Sequence, residues 1–148
     1  MFEPDEEYFN EIMLGISKVR DIPVLGVVKE PGRSQVLNRT GLIFALEIIL
    51  IEHRKQFGTL WNPLNGRLAL EHKLLMKYKW PISEIKAVTL QDALFLLQDE
   101  LKLIELPEFA QRVVHNFQAQ RARAVFPDVL EEEWDPTLHE KIQPERHW

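Results

Sequence analysis

The chain has 148 residues, 45% of them hydrophobic and 28% charged, with a formal net charge of −5. That size and balance fit one globular domain with a core of its own rather than a disordered chain. The acidic total argues against non-specific binding to DNA or anionic membranes, and the absence of cysteine removes any disulfide framework.

The N-terminus, MFEPDEEYFNEI, lacks the basic and apolar regions of a signal peptide. The longest apolar run, Leu42 to Ile51, is about half of a membrane span and is interrupted by Glu47. A cytoplasmic location is therefore expected. Pro4, Asp5, Glu6 and Glu7 suit a helix start, with proline pre-set for the first turn and acids at the positive end of the helix dipole. The spacing predicts a helix to about Val19 that presents Tyr8, Phe9, Ile12, Met13 and Ile16 to a core. The next stretch, DIPVLGVVKEPGRSQVLNRTG, holds two prolines and a Pro31-Gly32 turn signal. Across that turn VLGVV and SQVL admit a short β-hairpin within residues 22–38.

GLIFALEIILIEHRK, from Gly41 to Lys55, is the most apolar stretch. At about 100° per residue, Leu42, Leu46, Ile49, Leu50, His53 and Phe57 share one side. Ile43, Phe44, Ile48 and Ile51 widen that arc to most of the circumference, the pattern of a central helix. Residues 41–57 are expected to form it, with Gly58 as the stop. Thr40, Glu47 and Arg54 recur seven residues apart and make a narrow polar edge, expected where this helix reaches solvent.

RLALEHKLLMKYKW reads as a third helix ended by Trp80-Pro81, and PISEIKAV as one or two further turns. Thr89 and Asp92 have capping-box spacing and open a helix over LQDALFLLQDELKLIEL. Pro107 starts another, EFAQRVVHNFQAQRARAV, closed by Pro127. The expected fold is all-α: a single-domain bundle of about five helices around the central helix 41–57. Residues 1–125 form the helical domain. Residues 126–148 form an acidic, aromatic-containing C-terminal arm packed on it, with Trp134 and Trp148 as anchors.

Two histidines and two cationic faces are candidate sites. His53 points with the leucines and Glu71 lies inside the apolar arc of the third helix, within the similar triplets Ile51-Glu52-His53 and Leu70-Glu71-His72. A buried charge is costly unless paired, so His53 and Glu71 are expected to hydrogen-bond each other, or backbone, at a helix crossing. The catalytic alternative makes them a general acid/base pair or metal ligands. In the last long helix Arg112, His115, Ala119 and Arg123 recur on one outward stripe, facing solvent, a phosphate or the acidic arm; Arg112 with His115 is a second catalytic alternative of ribonuclease type. Lys73, Lys77 and Lys79, with Arg67, Tyr78 and Trp80 close by, resemble a nucleic-acid patch in composition, although an ordinary exposed lysine face is the simpler reading.

No glutamate sits three residues before a histidine in the central or third helix, and no Gly-rich phosphate loop, nucleophile elbow or zinc-spaced cluster occurs. The sequence therefore calls for no metal or cofactor and for no catalytic residue. The expected function is a non-catalytic protein-binding module, an acidic inhibitor, immunity or antitoxin-type protein that masks a basic partner such as a nuclease toxin. Its partner-binding residues are expected in the arm, at Glu131, Glu132, Glu133, Trp134 and Asp135, with Asp99 and Glu100 as a second acidic patch. A hydrolase or ribonuclease, or a regulator binding nucleic acid through Lys73, Lys77, Lys79, Arg112 and Arg123, are the alternatives.

Overall fold

Asp5 starts the first helix. In the computed structural model, which describes residues 3–142, its carboxylate accepts the Tyr8 N–H at 3.2 Å, and α1 runs Glu6–Arg20. Tyr8, Phe9, Ile12 and Ile16 form its buried face, which packs on α2 (Gly32–Phe57). Phe9 stacks on Phe117 at 4.4 Å and meets Phe44 edge-on at 5.2 Å.

The central helix begins nine residues before the expected start at Gly41, and among the described residues there is no strand. The hairpin expected within 22–38 is not formed: SQVL lies inside α2, and only VLGVV remains as loop. The polar residues on the early turns of α2 are satisfied, one from afar and one within the helix. Asn38 donates to the Ala122 carbonyl at 2.8 Å, and the Thr40 hydroxyl donates to the Val36 carbonyl at 2.7 Å. At the other end Gly58 stops the helix, its N–H bonding the Arg54 carbonyl. A Cβ at Gly58 would sit 2.5 Å from that oxygen, so no larger residue fits there. By length and composition alone α2 is apolar enough to cross a membrane, but most of its surface is buried in the bundle.

Beyond α2 come α3 (Leu68–Tyr78), α4 (Ile82–Ala87) and α5 (Leu90–Leu96). Thr89 caps α5 through the Asp92 N–H at 3.1 Å. The long helix expected to follow stops after seven residues. The Tyr78 hydroxyl donates to the Leu96 carbonyl at 2.6 Å, and the Glu100 N–H turns to the Leu97 carbonyl instead. Two 3-10 turns, Gln98–Glu100 and Leu103–Glu105, replace the expected helical continuation.

The next helix is also shorter than its sequence suggests: α6 covers Glu108–Asn116, Gln118 turns left-handed (φ 58°), and Ala119–Arg121 is a 3-10 turn. The expected stripe from Arg112 to Arg123 is thereby broken, with Ala119 buried beside Gly41. The arm then crosses α1 and α2 through a 3-10 turn, Glu131–Glu133, and ends in α7 (Leu138–Ile142). Phe126 and Trp134 are buried, whereas Trp148 lies outside the described residues.

Candidate functional site

The polar edge of α2 lies beneath the arm, not in solvent. Glu47 is fully buried; it accepts the Tyr8 hydroxyl and the Trp134 indole N–H, the latter at 2.8 Å. Burial raises the pKa of its carboxyl, opposed by those two donors and by the Arg54 charge. Arg54 ties down the loop after α2, donating to the Leu64 and Gly66 carbonyls at 2.8 and 3.0 Å. From the sequence no role is expected for Arg39, the residue before Thr40; it is only 3% exposed and binds Glu133 of the arm at 2.5 Å. Arg20 holds the other Glu133 oxygen at 2.7 Å and Asp128 at 2.9 Å, with its guanidinium 4.0 Å above the Phe126 ring.

These contacts redistribute the acids of the arm. Glu133 and Trp134 face inward and are buried, and both Glu133 oxygens are taken by Arg20 and Arg39. Glu131 is exposed yet engaged: it accepts the Leu90 N–H at 2.6 Å and lies 3.6 Å from Arg67. Asp135 bonds Thr137 and Lys141, both at 2.8 Å. Glu132 alone of the run is exposed and forms no hydrogen bond or ion pair to a described residue. In the second patch, Asp99 pairs with Lys77 at 2.7 Å, and Glu100 with Lys73 and Lys77 at 2.6 and 3.0 Å. The same pairs neutralise Lys73 and Lys77 of α3.

The two histidine triplets do meet, but histidine to histidine. His53 Nε2 lies 2.9 Å from His72 Nδ1, and Phe57 packs on both rings. Burial, with the Lys73 charge next, lowers the His53 pKa to about 4. Glu71 turns away to Arg67 at 3.5 Å and Lys86 at 3.3 Å, so the expected His53–Glu71 pair is not formed. Arg112 bonds Glu108 on its own helix at 3.3 Å, and His115 is exposed. The acidic arm bonds Arg20, Arg39 and Arg67, not the outward face of α6. Among the described residues no three histidine or carboxylate side chains gather as a metal site.

What the arm and α1 do enclose is a half-open groove of about 350 Å³. Its floor is apolar, from Ile12, Ile43, Trp134 and Leu138, and Glu47 stands at its base. Glu11, Glu132 and Asp135 are the acids of its rim, set against Lys18 and Lys141. Gly15 also faces it, and a Cβ there would meet no atom within 4 Å. Glycine inside a helix costs about 1 kcal/mol relative to alanine. Gly15→Ala is therefore expected to raise stability by roughly that amount, measurable as a higher urea midpoint at unchanged slope. Comparisons with protein-family models, with curated proteins and with solved structures found no match for the chain.

Proposed function

We propose that the chain is a non-catalytic binding protein that holds a basic segment of a protein partner in the groove between α1 and the C-terminal arm, as an inhibitor, antitoxin or immunity protein would mask a nuclease-like toxin. The observation that carries this reading is the union of an apolar floor with acids at rim and base. A lysine or arginine side chain has the matching anatomy, an apolar stem with a cationic head. Its stem lies along Ile12 and Trp134 on the floor, and its charge comes to Glu132 or Glu11 at the rim, above Glu47. A cation held above Glu47 favours the ionised carboxylate and so offsets part of the cost of its burial. Rim carboxylates chiefly speed association, while the apolar floor slows release.

The test is affinity capture from the native host with wild type and with Glu11→Lys/Glu132→Lys, followed by association kinetics on the captured protein. Both side chains are exposed, so the variant is expected to fold normally. A basic protein retained by wild type and lost by the variant, with association slowed about tenfold or more at low salt, supports the reading. Gly15→Leu, which places a side chain in the groove without charge change, should shorten the lifetime of the complex. Equal capture by wild type and charge-reversed protein ends the proposal. Glu133 is unsuitable for such a test because its loss acts on the fold.

A further inference from the structure

The arginines of the described chain divide into two groups. Arg20, Arg39, Arg54, Arg67 and Arg112 each hold a carboxylate or a backbone carbonyl. The side chains of Arg33, Arg121 and Arg123 form no hydrogen bond or salt bridge to any described residue. Arg33 and Arg121 come together because residues 119–125 lie along the first turns of α2. Asn38 bonds the Ala122 carbonyl at 2.8 Å and Gln35 the Val125 carbonyl at 3.4 Å. Arg33 and Arg121, 88 positions apart, line one predominantly polar cavity of about 470 Å³. Ser34 and Gln118 add a hydroxyl and an amide, and Leu37 and Phe117 supply a small apolar floor.

We propose that this cavity binds a small phosphoryl-bearing anion between the guanidinium groups of Arg33 and Arg121. A planar guanidinium presents two parallel N–H donors that match two phosphoryl oxygens. In a protein of net charge −5 that gives five of its described arginines a partner, two unpaired guanidiniums on a shared polar cavity stand out, and an anion resolves them. The segment that supplies Arg121 contains no acid between Glu108 and Asp128, so nothing along it competes for the site. The side chains carry the site, not the terminus of α2: the Arg33 N–H already bonds the Lys29 carbonyl at 3.1 Å, and the Ser34 N–H bonds the Glu30 carboxylate at 3.0 Å. Two carboxylates lie close by, Glu30 on Ser34 and Glu6, which accepts from the side chain of the lining residue Asn116 at 2.6 Å, and their charge weakens anion binding. The volume falls within the usual range for small-molecule sites, roughly 300–1,000 Å³. The overall negative charge favours a compact anion over a polyanion.

The experiment is titration of the isotope-labelled full chain with inorganic pyrophosphate, followed by backbone amide shifts, with inorganic phosphate and sulfate at matched ionic strength and a single-stranded oligonucleotide as further arms. Saturable shifts centred on Ser34 and Gln118, strongest with pyrophosphate, are expected. Arg33→Gln and Arg121→Gln should each weaken binding about tenfold, as for a lost charge-assisted hydrogen bond. Arg112→Gln should leave it unchanged, and Glu30→Gln, which keeps an acceptor for the Ser34 N–H, should tighten it. All four side chains are exposed, so unchanged thermal unfolding is expected of each variant. Shifts that survive in the Arg33→Gln/Arg121→Gln protein, or that sulfate reproduces equally, overturn the site. Tighter oligonucleotide binding through the same two arginines overturns the small-ligand assignment.

Discussion

Glu133→Ala is expected to destabilise the fold by about 3–5 kcal/mol, the range for removing one partner of a buried ion pair. The Glu133 side chain has no exposed surface and divides its two oxygens between Arg39 and Arg20. It also accepts the Leu130 N–H at 2.9 Å, which closes the turn that sends Trp134 down to Glu47. Without it Arg39, 3% exposed, keeps only a long bond to the Phe126 carbonyl at 3.5 Å. Its Nε already lacks a partner within the protein. The charge is then buried and unpaired, and lifting the arm to hydrate it exposes Phe126 and Trp134. Replacing both partners by apolar residues, Arg39→Met with Glu133→Leu, should recover most of the loss, because the cost comes from the uncompensated charge. Glu132→Ala, one residue away in solvent, should change stability by less than about 0.5 kcal/mol. Urea midpoints at a common slope decide the matter: a Glu133→Ala loss below about 1 kcal/mol would mean the arm is not clamped here.

The same triplet shows what sequence reading reaches and what it does not. That Glu131, Glu132 and Glu133 form an acidic turn near an aromatic anchor is legible from composition. Their separate fates are not, because successive residues of a 3-10 turn point about 120° apart. One carboxylate therefore reaches α5, one reaches solvent and one reaches the core. The seven-residue recurrence of Glu47 and Arg54 was likewise legible, but its direction depends on Trp134, 87 positions away. The buried faces of α1 and α2 followed from their periodicity, and the Thr89 cap from local spacing alone. The break after α5 did not, since a tyrosine 18 positions earlier takes the carbonyl that the next helical turn needed. His53 was rightly placed inward, yet its partner was misjudged by one residue. On a helix that is about 100°, enough to exchange Glu71 for His72. The groove itself was hidden because its walls, α1 and the arm, are more than a hundred residues apart in sequence and only the fold sets Glu11 opposite Glu132.

Acid should unfold this protein through two histidines that carry no catalytic role. Burial lowers both His53 and His139 to about 4, with the nearby Lys73 and Arg54 charges adding to the effect in turn. An unfolded histidine titrates near 6.5, so between about pH 6.5 and 4 the unfolded chain binds more protons than the folded one, and stability falls as pH falls. The contribution is complete above pH 6.5. By pH 5 each histidine has removed about 2 kcal/mol, and by pH 4 nearly 3. The charged form of His139 is disfavoured for a local reason as well: its Nε2 accepts the Gly66 N–H at 3.5 Å, which a protonated ring cannot do, and the Arg54 charge is nearby. Glu47 acts in the opposite sense. Its folded pKa is raised, so the stability linked to it is present at low pH and is lost as pH rises through that value. Wild type therefore shows the histidine loss partly offset by Glu47. The two are separated by comparing how much stability each protein loses between pH 7 and pH 5. His53→Gln/His139→Gln should start less stable and lose about 4 kcal/mol less than wild type over that interval, while Glu47→Gln should lose more than wild type. If the double-histidine variant and wild type fall by the same amount, the buried neutral histidines are not what makes the fold sensitive to acid.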